Sequence, residues 1–187
     1  VAAQNNDHII TAFRNNGDGT WSPFDIARDD RNIFQTYDVI VGDVDRDGAS
    51  DVIVSNDHAN LIALRNPLNT GTSPWAGPWG TVKTILVSSH NNVRAVEMVD
   101  LGGDDDIDGI AGNDNGQVVI AANPYNAGTN DPFSGAVNWN PDDLVIYTMP
   151  GGRRVEDIVY ADLNNDGFAD IGAVSDQGHI IILENPG

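Results

Sequence analysis

The sequence predicts an all-β fold, a β-propeller built from four-stranded blades, with about three and a half blades in 187 residues. Three observations carry that prediction. An aspartate-rich nonapeptide recurs three times, opening at Asp43, Asp100 and Asp162, which stand 57 and 62 residues apart. Repeats at such a period are units that bury their apolar faces by stacking on one another. Each copy is followed by the same punctuation: a turn centred on aspartate, a short apolar run, then Asn-Pro. The segments themselves are short, β-branched and bounded by Gly, Asn, Asp and Pro, and none keeps helical periodicity long enough to matter.

Taken in order, residues 1–36 read as a partial blade. Asn6-Asp7-His8 is its turn, Ile9–Phe13 its third strand and Asn15 its closing residue, so its own loop would lie before residue 1. Residues 37–93 read as a full blade. Tyr37–Gly42 leads into the first loop, Asp51–Ser55 leaves it, Asn56-Asp57 turns, Leu61–Leu64 is the third strand and Thr81–Leu86 the fourth. Residues 94–152 repeat the plan with Val96–Val99, Asp108–Gly112, Asn113-Asp114, Val118–Ala121 and Leu144–Tyr147. Residues 153–187 supply a first, second and third strand at Ile158–Ala161, Asp170–Val174 and Ile180–Leu183, with Ser175-Asp176 between the last two. The apolar runs are continuous, which predicts strands buried on both faces. The stretches after Asn66 and Asn123 share Gly-Thr at 71–72 and 128–129 and read as ordered loops between third and fourth strands. A β-sandwich with hairpin loops is the alternative, disfavoured because sandwiches do not usually repeat in sequence at this period.

Composition narrows the partners. With 28 Asp and Glu against 9 Lys and Arg, the net charge is −19 and the pI near 4.1. That argues against nucleic acid and anionic membranes and for metal cations. There is no Cys, hence no disulfide or zinc-thiolate site. No apolar run approaches the length of a membrane span, and no Asn-x-Ser/Thr sequon occurs. The chain opens on Val1 without a signal-like segment, and a processed form or a fragment is expected.

Crowded carboxylates are costly unless a cation sits among them. In the first loop, side-chain oxygens fall at Asp43, Asp45, Asp47 and Asp51, and the Ala49 carbonyl stands where it can join them. An all-oxygen set of this charge suits a hard cation, and six to eight ligands favour Ca²⁺ over Mg²⁺. Gly48 permits the sharp turn. An EF-hand needs an acidic ligand at its twelfth position, where this chain has Val54, Ala111 and Ala173, so that reading fails. An Asx-rich turn holding no metal remains the alternative for each loop.

The stretches "GDVDRDGASDVIV" and "ADLNNDGFADIGAV" resemble the FG-GAP/VCBS repeats of integrin alpha chains and bacterial secreted β-propellers. "RNNGDGTWSP" is similar to that family's inter-strand loop, and "ILENPG" to a turn common in its bacterial members. The resemblance implies structural Ca²⁺ in loops joining the first and second strands of a blade. It implies a first site at Asp43, Asp45, Asp47, the Ala49 carbonyl and Asp51. It implies a third at Asp162, Asn164, Asp166, the Phe168 carbonyl and Asp170. The second departs from the pattern, with Gly102 where a ligand should stand and Asp105 in place of glycine. Its ligands would be Asp100, Asp104, the Asp106 carbonyl and Asp108, and it is expected to be the weakest of up to three Ca²⁺ sites.

Other chemistry is sparse. His8, His58, His90 and His179 read mainly as turn residues, and His8 and His58 share a repeat position. Glu97 lies in an apolar innermost strand, where burial would raise its pKa. Trp21, Trp75, Trp79 and Trp139 fall in loops, as anchors or as stacking surfaces for sugars. No Ser/His/Asp arrangement, phosphate loop or carboxylate pair outside the metal loops suggests catalysis. The expectation is a secreted or cell-surface, calcium-stabilised structural and interaction module, not an enzyme, with extracellular proteins or glycans as possible ligands. A lectin and the propeller part of a polysaccharide-active enzyme, such as a lyase or dehydratase, are the alternatives. Since closed propellers need at least four blades, the chain is expected to be completed by self-association, in a ring or a filament, or by a longer chain.

Overall fold

The computed structural model describes residues 2–4, 9–28, 35–58, 60–80, 82–86, 92–125, 130–134, 139 and 144–187. Its strands form four antiparallel sheets, so the all-β expectation holds. The first sheet contains β1 (Ala2–Gln4), β2 (Ile9–Asn15) and β3 (Trp21–Arg28). The second contains β4 (Thr36–Gly42), β5 (Asp51–Asn56), β6 (Asn60–Leu64) and β7 (Val82–Leu86). The third contains β8 (Val93–Val99), β9 (Asp108–Asn113), β10 (Gln117–Ala121) and β11 (Leu144–Thr148). The fourth contains β12 (Val155–Ala161), β13 (Asp170–Ser175) and β14 (Ile180–Leu183). Within every sheet, neighbours in sequence are neighbours in space, each sheet being a simple meander.

The repeat extends to detail. The register shifts at the start of the first strand in each of the last three sheets, between Thr36 and Val39, Val93 and Ala95, and Val155 and Asp157. Such a bulge sharpens the strand's twist. The turn aspartates then tie the second strand back, with Asp57, Asp114 and Asp176 donating their N–H to the carbonyls of Gln35, Asn92 and Arg154 at 3.0, 3.0 and 3.1 Å.

Three apolar clusters lie between successive sheets. Ile10 and Ile26 of the first sheet pack with Val52, Val54, Ile62 and Leu64 of the second. Ile53, Leu61 and Ile85 meet Val96, Ala111 and Val119 across the next gap. Ile110 and Val118 meet Ile158, Ile171 and Ala173 across the last. The first strands also follow one another, with β8 packed against β4 on one side and β12 on the other. This explains the continuous apolar runs: β5 and β9 are buried at every residue. The expectation of two buried faces fails for β14. Its outward Ile180 and Ile182 are 73% and 57% exposed, because no further sheet stacks on them among the described residues.

Candidate metal centres

The three aspartate loops fold on one hydrogen-bond framework. The opening carboxylate (Asp43, Asp100, Asp162) accepts the same two backbone N–H groups in every loop, and Asp100 Oδ1 takes a third, from Gly103 at 2.7 Å. In each loop its Oδ1 takes the amide four residues on, from Asp47, Asp104 and Asp166 at 3.0, 3.2 and 3.1 Å. Its Oδ2 takes the next amide, from Gly48, Asp105 and Gly167 at 2.8, 2.9 and 3.0 Å. The closing carboxylate (Asp51, Asp108, Asp170) accepts through Oδ2 from Val44, Leu101 and Leu163 at 3.1, 3.2 and 3.0 Å. Through Oδ1 it accepts from the Asn after the third strand, Asn66, Asn123 and Asn185, at 2.7, 2.8 and 2.9 Å. Two left-handed residues bend each loop: Arg46 and Gly48, Gly103 and Asp105, Asn165 and Gly167. In the second loop Asp105 therefore takes the glycine position with φ 65°, a conformation Asp tolerates better than most side chains.

In the first loop this framework brings charges together. Ligand oxygens of Asp43, Asp45 and Asp51 lie within 4.8 Å of one another, the one such cluster among the described residues. Asp45 and Asp51 are 5% and 0% exposed. Oδ2 of Asp45 is paired with Nη2 of Arg65, while its Oδ1 is buried with no hydrogen-bond partner. An orphaned buried carboxylate oxygen is expensive, and a cation is the group that would satisfy it. Burial pushes the Asp45 carboxyl above its ordinary range, the Arg65 charge opposes that, and Asp47 adds to it. Burial likewise pushes Asp51 up to about 7, against the Asn66 and Val44 amides and with the charges of Asp45 and Asp47. Among carboxylates the donor set is all oxygen and fits a hard divalent ion such as Ca²⁺. Asp47 is not part of the close group; its Oδ1 accepts the Ala49 amide at 2.8 Å.

The second and third loops share the backbone but not the convergence. Asp100, Asp104 and Asp108, and likewise Asp162, Asp166 and Asp170, do not bring their ligand oxygens as close. Gly102 leaves the third position bare and exposed. Arg46, reaching over from the first loop, donates to the carbonyls of Asp105 and Asp104 at 2.8 and 2.9 Å. Its Nε also lies 3.1 Å from Oδ1 of Asp106, the residue whose carbonyl the family resemblance implies as a ligand. Burial pushes the Asp108 and Asp106 carboxyls up. In the third loop Asn164 donates to Asp166 Oδ2 at 2.9 Å and accepts the Asp166 amide at 3.0 Å, and its aspartates are exposed save Asp170. The Phe168 ring lies against Gly187.

Arginines were the residues the motif could not announce. Arg65 pairs with both Asp45 and Asp131 and stacks 5.3 Å from the Phe133 ring, linking the first loop to the loop between β10 and β11. The repeat position of Arg46 holds Gly103 and Asn165 in the other loops, whereas that of Arg65, just before the closing Asn, holds Arg14, Ala122 and Glu184. The remaining candidates are placed as follows. His58 Nδ1 lies 2.8 Å from Asp57 Oδ1, and His179 Nδ1 lies 3.4 Å from Ser175 Oγ. His8 and His90 lie outside the described residues, as do Asn6, Asp7, Gly128 and Thr129. Glu97 is half-buried on β8, its carboxyl pushed up by burial and then by Asp38 and Asp157. Trp79 and Trp139 are buried loop anchors and Trp75 keeps an exposed face in its loop, whereas Trp21, expected in a loop, opens strand β3 and is exposed there.

A scan against protein-family models finds no match for the chain, and neither does a search of curated proteins.

Proposed function

We propose that the chain is a segment of a calcium-stabilised β-propeller of the FG-GAP/VCBS type that serves as an extracellular structural and interaction module. The observation that carries this reading is the first loop, where three converging carboxylates include a buried Asp45 oxygen without a partner. Support for the propeller comes from meandering sheets stacked through their faces in chain order, with β4, β8 and β12 succeeding one another. Support for the module comes from what the sheets expose: apolar side chains at Val159, Ile180 and Ile182 on the fourth sheet, the surface that another sheet, from a second copy or a longer chain, would cover. A net charge of −19 suits a protein working in millimolar calcium. The ion's role is to lock the loop that joins the first and second strands, not to perform chemistry.

The test is thermal unfolding in chelator and in calcium. At extracellular-type affinities, ion at ten times its Kd adds about 1.4 kcal/mol per site. The melt is expected to fall in chelator and to recover with Ca²⁺ but less with Mg²⁺. A melt unmoved by chelator and by added calcium would refute the reading.

A further inference from the structure

We propose that Asn123, on the third sheet, is a positioning residue for the first metal loop on the second sheet, so that calcium held in that loop also tightens the packing of the two sheets. The inference rests on the calcium reading of the first loop and goes beyond it, since the ion then acts on a neighbouring sheet as well as on its own strands.

Val44 is where the two meet. It stands between Asp43 and Asp45, and its N–H donates to Oδ2 of Asp51 at 3.1 Å, so all three converging carboxylates attach to this one residue. Its side chain is 1% exposed, in the cluster between the second and third sheets. Nδ2 of Asn123 donates to its carbonyl at 2.9 Å. That carbonyl shares a planar peptide unit with the Asp45 nitrogen. A bond held on the carbonyl therefore fixes the plane from which the Asp45 side chain departs. Asp45 is buried and carries the Oδ1 without a hydrogen-bond partner, the atom an ion would have to meet.

Asn123 is itself held in place. Its N–H donates to Asp108 Oδ1 at 2.8 Å, its Nδ2 donates also to the Ile107 carbonyl at 3.2 Å, and its Oδ1 accepts the Tyr125 amide at 3.0 Å. The counterpart Asn66 makes the same two local side-chain bonds, to the Ser50 carbonyl and from the Leu68 amide, at 2.9 and 3.0 Å. Asn185 repeats the arm across the next gap, donating to the Leu101 carbonyl at 3.0 Å. There the following residue is Gly102, so the bond has no carboxylate to aim. One hydrogen bond thus steers a ligand in the first gap and only joins sheets in the second. Coupling of this kind is reciprocal. Asn123 raises the loop's affinity for calcium, and calcium raises by the same factor the hold of the loop on Asn123.

The test is a calcium titration of the isotope-labelled, calcium-free full chain followed by NMR. The amides of Gly48 and Ala49, bound to Asp43 and Asp47, report the first loop. In the parent chain the Asn123 side-chain amide signals should follow calcium with the same midpoint as Gly48 and Ala49, and exchange of the Tyr125 amide should slow. Asn123→Ala should raise the first-loop Kd about three- to tenfold, the worth of a net hydrogen bond or slightly more. Asn185→Ala, which removes the matched arm one gap on, should leave that Kd within about twofold. The parent-chain midpoints decide the matter even where Asn123→Ala does not fold. Gly48 and Ala49 responding while Asn123 stays still, or follows the midpoint of the Asp105 and Asp106 amides instead, would overturn the proposal. So would an Asn123→Ala chain that binds as tightly as the parent, or equal losses in the two variants. Gly48 and Ala49 unmoved by calcium would overturn the calcium reading itself, and this inference with it.

Discussion

The gap between the second and third sheets and the gap between the third and fourth are walled by equivalent first, second and third strands in the same order, the fourth sheet showing no fourth strand among the described residues, and they differ chemically at matched positions. Where the first has Ile40 against its core, the second has Glu97. Where the first loop carries Asp45, the second carries Gly102. Phe133 and Trp139 close the first gap, and Arg65 bridges Asp45 to Asp131 across it; the other gap holds an open groove. The loop over the closed gap has converging, desolvated carboxylates, and the loop over the open one does not. The comparison separates two causes. The loop's backbone is written locally, by an opening aspartate that gathers two or three amides and by residues that accept left-handed φ. The electrostatics of the site depend also on the neighbouring sheet, whose Asp131 and Phe133 hold Arg65, an arginine of the loop's own sheet, beside Asp45.

The largest effect should come from removing a closing carboxylate on each side of this comparison. Asp51→Ala orphans the amides of Val44 and Asn66 and deletes a proposed ligand; Asp108→Ala orphans those of Leu101 and Asn123. Leaving two such donors unsatisfied costs about 2–4 kcal/mol in either case. Urea unfolding in chelator should show that common loss. In calcium the loss should grow for Asp51→Ala and stay nearly constant for Asp108→Ala. Equal calcium dependence would mean that the neighbouring sheet does not set the site.

Arg65→Gln comes next. Without an ion, Asp45 keeps its buried charge and loses its partner, a loss of about 1–3 kcal/mol. With an ion, the metal takes over the compensation and the loss should shrink, with calcium bound more tightly than by the parent chain. Arg46→Gln is the control over the second loop. Its bonds to the Asp104 and Asp105 carbonyls are exposed but its Nε also pairs with the buried Asp106 carboxylate, and a loss of about 1 kcal/mol with no calcium dependence is expected. Paired titrations monitored by melting would separate the two, and identical calcium responses would break the distinction.

Much of this was legible in the sequence, for reasons the structure makes clear. The strand plan could be read because β5 and β9 are buried on both faces and so appear as unbroken apolar runs. The fourth strands β7 and β11 could be read from β-branched residues after long loops. The closing Asn-Pro was visible as a repeat, but not its bonds: Asn123 and Asn185 also donate to the Val44 and Leu101 carbonyls of the preceding sheet, at 2.9 and 3.0 Å. The left-handed position shared by Arg46, Gly103 and Asn165 has no single residue type and left no signal. The exposure of β14 was hidden because burial of a strand's outer face depends on the next sheet, which its own residues do not encode. Arg65 and Asp131 were missed because they lie in different repeats, 66 residues apart, and meet only through stacking.

Glu97 offers a pH test of the open gap against its apolar counterpart at Ile40. Burial first, then the charges of Asp38 and Asp157, hold its folded carboxyl above the ordinary value. Between the unfolded and folded values the native chain binds more protons than the unfolded one, so stability falls as pH rises through that window. Glu97→Gln should remove this fall. The variant should match the parent at pH 4 and melt about 2–4 °C higher at pH 7. A parent chain that gains on the variant as pH rises would reverse the assignment.

The smallest effect, and the sharpest on the cause of the difference, should come from Gly102→Asp. The substitution restores to the second loop the carboxylate that Asp45 gives the first. Gly102 is not in the left-handed region, and a Cβ there meets nothing closer than the Asp104 side chain at 3.7 Å, so the backbone tolerates it. In chelator the added charge joins Asp100 and Asp104 at an exposed position and should lower stability by about 0.5 kcal/mol or less. In calcium it should tighten the second loop severalfold, up to about tenfold, because ligand charge tunes affinity. Calorimetry on this variant in an Asp51→Ala background, where the first site is silent, reads the second loop with little competition from the first. If ligand count were the whole difference, the rebuilt loop would bind as tightly as the first loop of the parent chain. Because no covering loop closes this gap among the described residues and Ala122 stands where the first site has Arg65, affinity should remain below that level, and a match to it would show that these surroundings contribute nothing.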